Sequence, residues 1–303
     1  MVKNDTVRGM SMFDPPPTLG KARTPQSDLV TMVKKMISDW LVREPCFRDR
    51  RFLNQNPAQG KMLRTLLVQR LCSANGRDFD MDAIANSCAA VELVHAATLF
   101  HDDVIDVGEV RRGERALWRQ SSASASILVG DLFLCRAIGF LSRKGNTKLI
   151  GLFIDKMHET CAAEIRQELT LRGKTVPEKD CLRMARGKTG PLFAFCAALC
   201  SKGDLRLEAA LEEAGYLIGT AYQLADDLID EKGDCKKCGK TLGTDRLRKK
   251  YTLARINNDR EGYVKGLIDS LCASAADLLA PWPLMHSGLQ MYLEHDLYPV
   301  ISA

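Results

Sequence analysis

Two stretches of the chain carry three aspartates in the same spacing: His101-Asp102-Asp103-Val104-Ile105-Asp106 and Ala225-Asp226-Asp227-Leu228-Ile229-Asp230. Each closes a long apolar stretch. On a helix, Asp102 and Asp106 lie four residues apart and share a face, as do Asp226 and Asp230. Three like charges within about one turn repel, and an apolar neighbourhood worsens the repulsion, so a cation belongs beside each group. Hard carboxylate oxygens favour Mg²⁺, an ion that keeps some of its waters and completes its shell with phosphate oxygens. A single copy would read as a solvated helix end. Two copies, each at the close of an apolar run, point to a metal-dependent site for a phosphorylated ligand.

Basic residues stand where such a ligand would need them. Arg111-Arg112-Gly113 follows the first acidic motif after a short loop, and arginine offers a planar fork to phosphate oxygens. Gly60-Lys61-Met62-Leu63-Arg64 opens a helix, where two cations meet free backbone N–H groups. Gly187-Lys188-Thr189-Gly190-Pro191 supplies a cation and a hydroxyl, and its glycine and proline are expected to interrupt a helix. It is not a nucleotide P-loop, because Leu182 stands where the upstream glycine belongs. Lys240 and Lys250 follow the second acidic motif. His95 precedes Asp102 by seven residues, about two turns back on the same face.

The elements that must hold these groups read as helices. Ser27 and Asp28 cap a segment running to about Arg43. Met62–Cys72, Met81–Phe100, Ser122–Leu141, Thr147–Leu171, Glu178–Cys200 and Leu205–Leu228 combine helix-favouring residues with apolar spacings of three and four. Shorter helical text continues to about Glu294, and no sustained period-two alternation occurs. The chain of 303 residues is 46% hydrophobic and 27% charged, with a net charge of +5. That composition excludes a disordered or collagen-like chain, and the mild, evenly spread charge gives no reason to expect nucleic acid as a partner. Residues 1–26, with Pro15-Pro16-Pro17, Gly20 and Pro25, read as a flexible tail, and 27–303 as one all-α, single-domain helical bundle. No uninterrupted apolar run reaches the roughly 18 residues of a membrane span, and no secretory leader is visible, so a cytoplasmic protein that does not span the membrane is expected. Cys88, Cys161, Cys196 and Cys200 lie in apolar helical text and read as buried reduced thiols. Cys235 and Cys238 form a lone CxxC without the second ligand pair that a structural zinc site needs.

Together these residues resemble the trans (head-to-tail) polyprenyl diphosphate synthases, of the isoprenoid synthase fold. The resemblance runs from about Gln59 to Leu253. It rests on GKMLR at 60–64, HAATLFHDDVID at 95–106, RRG at 111–113, GD at 130–131, and Glu164 with Gln167. It continues through GKT at 187–189, YQLADDLID at 222–230, GKTLGTD at 239–245 and Lys250-Tyr251-Thr252-Leu253. Thr65 stands where the family usually carries proline, and Gln59 where it carries a glycine.

The resemblance implies an all-α bundle around a central cavity, a homodimer, and a Mg²⁺-dependent transfer of an allylic prenyl group to isopentenyl diphosphate. It implies catalytic roles for Asp102, Asp103, Asp106, Asp226, Asp227, Asp230 and Lys188, with Asp102, Asp106 and Asp226 holding Mg²⁺ and Asp103 and Asp230 in support. By the same resemblance Arg111, Lys188, Thr189, Gln223, Lys240 and Lys250 hold the allylic diphosphate. Lys61, Arg64, His95 and Arg112 match the positions that hold isopentenyl diphosphate.

The family sets product length by the residues four or five positions before the first aspartate. Here these are the small Thr98 and Ala97, with Val94 and Val91 further along the stripe. A medium or long all-trans product of about twenty-five to fifty carbons is therefore expected, as a tunnel lined by small side chains stays open to a longer ligand. Such a product would be delivered to a membrane. Phe133, Phe140 and Phe153 are candidates for a deeper floor. The alternatives are a short-chain (farnesyl or geranylgeranyl) diphosphate synthase, a class I terpene cyclase, or a non-catalytic synthase subunit. A cyclase usually has Asn, Ser and Glu in its second metal motif, and a non-catalytic subunit usually loses aspartates that are all present here.

Overall fold

The computed structural model describes residues 28–47, 56–75, 79–143, 145–232, 241, 243, 248, 250–255 and 261–301. The Pro-rich segment 1–26, Lys240, Cys235 and Cys238 lie outside the described residues.

The described chain is helical apart from its connecting loops and one hairpin of two short strands. The main helices are α1 (Leu29–Arg43), α2 (Leu63–Asn75), α3 (Met81–Ile105), α4 (Leu117–Gln120), α5 (Ala123–Ser142) and α6 (Thr147–Arg166). They continue with α7 (Glu178–Ala198), α8 (Leu205–Lys232), α9 (Glu261–Leu278), α10 (Pro283–Tyr292) and α11 (Tyr298–Ile301). Side-chain caps open several of them: Asp28, Asp80, Ser122 and Asn146 each accept from a backbone N–H of the first turn. The buried apolar side chains from α1 to the last helical turns form one contiguous cluster.

Helices α7 and α8 pack closely, because glycines line their contact. A Cβ on Gly219 would stand 2.6 Å from the Gly190 Cα, and one on Gly215 would stand 2.5 Å from the Ala194 Cα. Any larger residue would push the helices apart and separate Thr189 from Gln223.

Four expectations change. Helix α7 runs unbroken through Gly187, Gly190 and Pro191 instead of being interrupted there. The second aspartate motif lies inside α8, which continues to Lys232, whereas the first lies at the end of α3 with Asp106 as its C-cap. Cys161 is exposed, while Cys88, Cys196 and Cys200 are buried as expected. Two helices, α3 and α5, are long and apolar enough by length and composition to cross a membrane. Glu92 and His95 interrupt the apolar text of α3, and Asp131 and Arg136 that of α5, but the apolar residues around them keep each average apolar. The most apolar window of α3 is 72% buried inside the protein, and that of α5 is 33% buried.

Candidate active site

Four helices and the hairpin deliver the candidate residues to one region. Helix α3 ends with Asp102 and Asp103 in its last turn, and the chain turns sharply at Val107, whose φ of 56° lies in the left-handed region. Strands β1 (Val110–Arg111) and β2 (Glu114–Arg115) follow, joined by Arg112 and Gly113, both with positive φ (54° and 78°). That is the geometry of a tight primed hairpin turn, in which arginine is an unusual and strained occupant. The turn folds the basic pair back over the acids. Arg111 donates to Asp103, with Nη2 2.6 Å and Nε 3.1 Å from Oδ1, and Asp103 is 3% exposed.

The remaining cations of this region also rest on carboxylates. Lys250 Nζ lies 2.8 Å from Asp106 Oδ1 and is itself buried. Arg248 approaches Asp106 at 3.5 Å and pairs with Glu168. Lys188 Nζ sits 2.8 Å from Glu164 and donates to Gln167 at 3.0 Å. Gln167 and Glu168 lie in a π-helical turn, Gln167–Leu171, that extends α6. Such a bulge shifts the register of a helix and is frequent at functional sites. Across α7 and α8, Thr189 donates to Gln223 Oε1 at 2.5 Å, and Gln223 donates to Asp227 at 2.8 Å.

Two cations feel the charge of both acidic motifs. Burial works to lower the Arg111 pKa, yet Asp103, Asp102 and Asp226 hold it above the ordinary value. Burial also opposes the Lys188 charge, and Glu164, Asp102 and Asp227 raise its pKa far above that of a free lysine. Both motifs therefore lie within electrostatic reach of the same two side chains. Burial, then the Glu164 charge, pushes the Asp102 carboxyl up to about 7, with Asp106 adding to the rise. A carboxyl in that state is short of positive charge, and these hard oxygens suit a divalent cation. Among the described residues no three such groups converge closely enough to enclose a metal ion by themselves. An ion here would take part of its shell from water or ligand oxygens, as Mg²⁺ commonly does.

The second basic group is built differently. Arg112 Nη1 donates 2.7 Å to the Asn56 carbonyl, and a Cβ on Gly60 would come 3.1 Å from Arg112 Nη2. The RRG turn and the segment before α2 are thus brought together, and a larger residue at 60 would crowd the Arg112 guanidinium. Arg64 is buried with its guanidinium 4.8 Å from the centre of the Phe193 ring. Lys61 is exposed. Met62, between these two cations, has a φ of 54°. Burial, then Arg64, Arg112 and Arg111, depresses the His95 pKa well below its ordinary value, so its ring is neutral.

Other residues were missed or underweighted by the sequence reading. Glu164, Gln167, Glu168 and Arg248 complete the charge network, and Glu92 lies buried beside the second basic group. Thr241 Oγ1 accepts from the N–H groups of Glu109 and Val110 at 2.8 and 2.9 Å, fastening the segment after the second motif to the loop after the first. Gly130 packs under His101, where a Cβ would lie 2.3 Å from Nε2. Only the tertiary fold brings most of these pairs together. Glu164 and Lys188 stand far apart in sequence, and acids and bases are common on any solvated helix. On the product-length stripe, Val91, Val94 and Ala97 are buried, and Thr98 is half-buried with its hydroxyl donating to the His95 carbonyl at 2.9 Å.

Residues 50–263 match the polyprenyl synthetase family. Octaprenyl diphosphate synthase of Escherichia coli is 30% identical over 206 residues, which cover 67% of this chain and 63% of that protein. Geranylgeranyl diphosphate synthase of Mycobacterium tuberculosis is 37% identical over 222 residues, covering 67% and 61%. The matched stretch thus spans just under two thirds of these relatives' length. Among solved structures, the geranyltransferase of Helicobacter pylori complexed with magnesium and isoprenyl diphosphate superposes with a TM-score of 0.71 over 90% of this chain and 98% of that one, at 19% identity. With the family's sequence matched along most of its length and its all-helical architecture reproduced, this chain belongs to the polyprenyl synthetase family.

Proposed function

We propose that this protein is a Mg²⁺-dependent transferase that joins isopentenyl diphosphate to an allylic prenyl diphosphate, head to tail. The observation that carries this reading is that groups of the expected diphosphate site engage both aspartate motifs: Arg111 rests on Asp103 and Lys250 on Asp106 of the first, and Gln223, bonded to Thr189, donates to Asp227 of the second. Bound Mg²⁺ would supply charge that stabilises the departing diphosphate. Asp102, Asp106 and Asp226 would hold the ion, with Asp103 and Asp230 in support, and Asp227 would align Gln223. Arg111, Lys188, Thr189, Gln223, Lys240 and Lys250 would bind the allylic diphosphate. The cations that now rest on carboxylates are within reach of an incoming anion, so they can stabilise the negative charge that grows as the allylic C–O bond breaks. Lys61, Arg64, neutral His95 and Arg112 would hold isopentenyl diphosphate, whose double bond attacks the allylic cation before a proton is lost. Holding both substrates in one place supplies a large part of the rate. The relatives whose names specify a magnesium-complexed or prenyl-diphosphate-forming protein are in keeping with this chemistry.

Small side chains at Ala97, Thr98, Val94 and Val91 favour a product of about twenty-five to fifty carbons, since the size of a ligand follows the shape of its tunnel. The relatives include both octaprenyl and geranylgeranyl synthases, so a twenty-carbon product is the second reading. The exposed apolar side chains Ile127, Leu128 and Ile138 on α5 and Ile154 on α6 support a homodimer. Purified protein given isopentenyl diphosphate and each allylic primer, with products resolved by mass spectrometry, tests the function. Elongation bears it out. A cyclised hydrocarbon, or no product from any primer, overturns it. Ala97→Phe and Thr98→Phe are expected to shorten the product, and an unchanged product ladder would remove both from the tunnel.

A further inference from the structure

Glu92 is the buried acidic residue of α3 that the reaction scheme leaves without a role. It is 6% exposed and lies one turn before His95. Its Oε1 accepts two hydrogen bonds from one residue, Thr65: the backbone N–H at 3.2 Å and the hydroxyl at 2.7 Å. Thr65 is fully buried and sits in the first turn of α2, where backbone N–H groups have no partner within the helix. A carboxylate from a neighbouring helix therefore caps α2 from the side. The residue before Thr65 is Arg64, whose Nε is buried without a hydrogen bond and whose guanidinium is steered by the Phe193 face.

A buried carboxylate is costly unless charge and hydrogen bonds compensate it. Burial raises the Glu92 pKa, while Arg64, the two Thr65 bonds and Arg112 pull it back toward ionisation. Glu92 thus lies within electrostatic reach of the two arginines of the second basic group, and it is bonded to the helix that carries one of them. The left-handed φ at Met62 fixes the chain just upstream, so Arg64 is held from both sides. A brace of this kind acts on the second diphosphate and not on the allylic one, whose cations rest on Asp103, Asp106 and Glu164.

We infer that Glu92 is a positioning residue for the second substrate: through Thr65 it fixes the first turn of α2, and so the Arg64 guanidinium, in the geometry that receives the diphosphate of isopentenyl diphosphate. The inference rests on the assignment of Arg64 to that substrate under the proposed function.

Two variants separate the parts of the brace. Glu92→Gln keeps an acceptor but removes the charge, and Thr65→Val removes the hydroxyl bond but leaves the carboxylate. Each is expected to weaken the binding of isopentenyl diphosphate, read by calorimetry and as KM, on the order of tenfold. The KM for the allylic primer should stay within about twofold. Thr65→Ser, which restores a hydroxyl, should recover most of the lost affinity. Equal shifts for both substrates, or no shift for isopentenyl diphosphate in either variant, overturn the inference. If Glu92→Gln does not fold, the Thr65→Val and Thr65→Ser pair decides alone. Binding of isopentenyl diphosphate by the unaltered protein without elongation would sink the proposed reaction while the affinity comparison still judges the brace. No binding at all would sink both.

Discussion

The two basic regions solve the problem of holding cations ready for phosphate in opposite ways. Around the aspartate motifs, Arg111, Lys188 and Lys250 each rest on a carboxylate. Around the start of α2, Arg112 leans on a backbone carbonyl, Arg64 on an aromatic face, and one buried carboxylate, Glu92, bonds to Thr65 between them. Under the proposed function, the difference follows from what each region would receive. A metal-bound diphosphate brings its own cations, so the acids that hold the metal also serve as partners for the nearby bases. A metal-free diphosphate must be neutralised by the protein alone, and strong pairing of those bases with acids would compete with the ligand.

The largest expected effect breaks the first arrangement. Asp102→Asn or Asp226→Asn should lower kcat by about a thousandfold or more, as losing a metal ligand removes stabilisation of the leaving group. Steady-state rates under saturating Mg²⁺ check this, and a loss below tenfold would show that the motif does not hold the ion.

The second arrangement can be sharpened by Arg112→Lys, which keeps the charge but loses the fork. It should raise the KM for isopentenyl diphosphate about tenfold and leave the Mg²⁺ dependence unmoved, in line with one charge-assisted hydrogen bond lost. A shifted Mg²⁺ requirement would mean that the two regions are not separate.

The smallest effect concerns stability. The Asp102 carboxyl titrates near 7 in the metal-free fold, above the ordinary range for an unfolded aspartate. Its protonated form is favoured by folding, so the contribution is complete at acid pH and is lost as the pH rises through about 7. Metal-free protein should therefore lose a few degrees of melting temperature relative to Asp102→Asn between pH 5 and pH 8, on the order expected for one titrating group in a domain of this size. Parallel melting curves for the two proteins across that range would refute it. Mg²⁺ with pyrophosphate should offset the loss at pH 8.

Most of the helices were legible because their apolar spacing and caps act locally. The segments read as Thr147–Leu171 and Leu205–Leu228 appear as α6 with its π-helical turn and as α8. The interruption expected at Gly187–Pro191 did not occur, because the packing of α7 against α8 outweighs the local preferences of glycine and proline. The hairpin was missed because its turn is Arg-Gly rather than a pair that favours positive φ at both positions.

The sequence by itself determined the all-helical class, the two aspartate motifs with their basic satellites, and the family, since these depend on residue type and on spacing along one helix. Only the tertiary structure decided which partner each acid rests on: Arg111 for Asp103, Lys250 for Asp106, Lys188 for Glu164, and the Thr65 hydroxyl for Glu92. Those partnerships join residues from different elements. They depend on glycines that let helices touch and on a strained turn that folds two arginines back, and no local pattern encodes the distance between two helices.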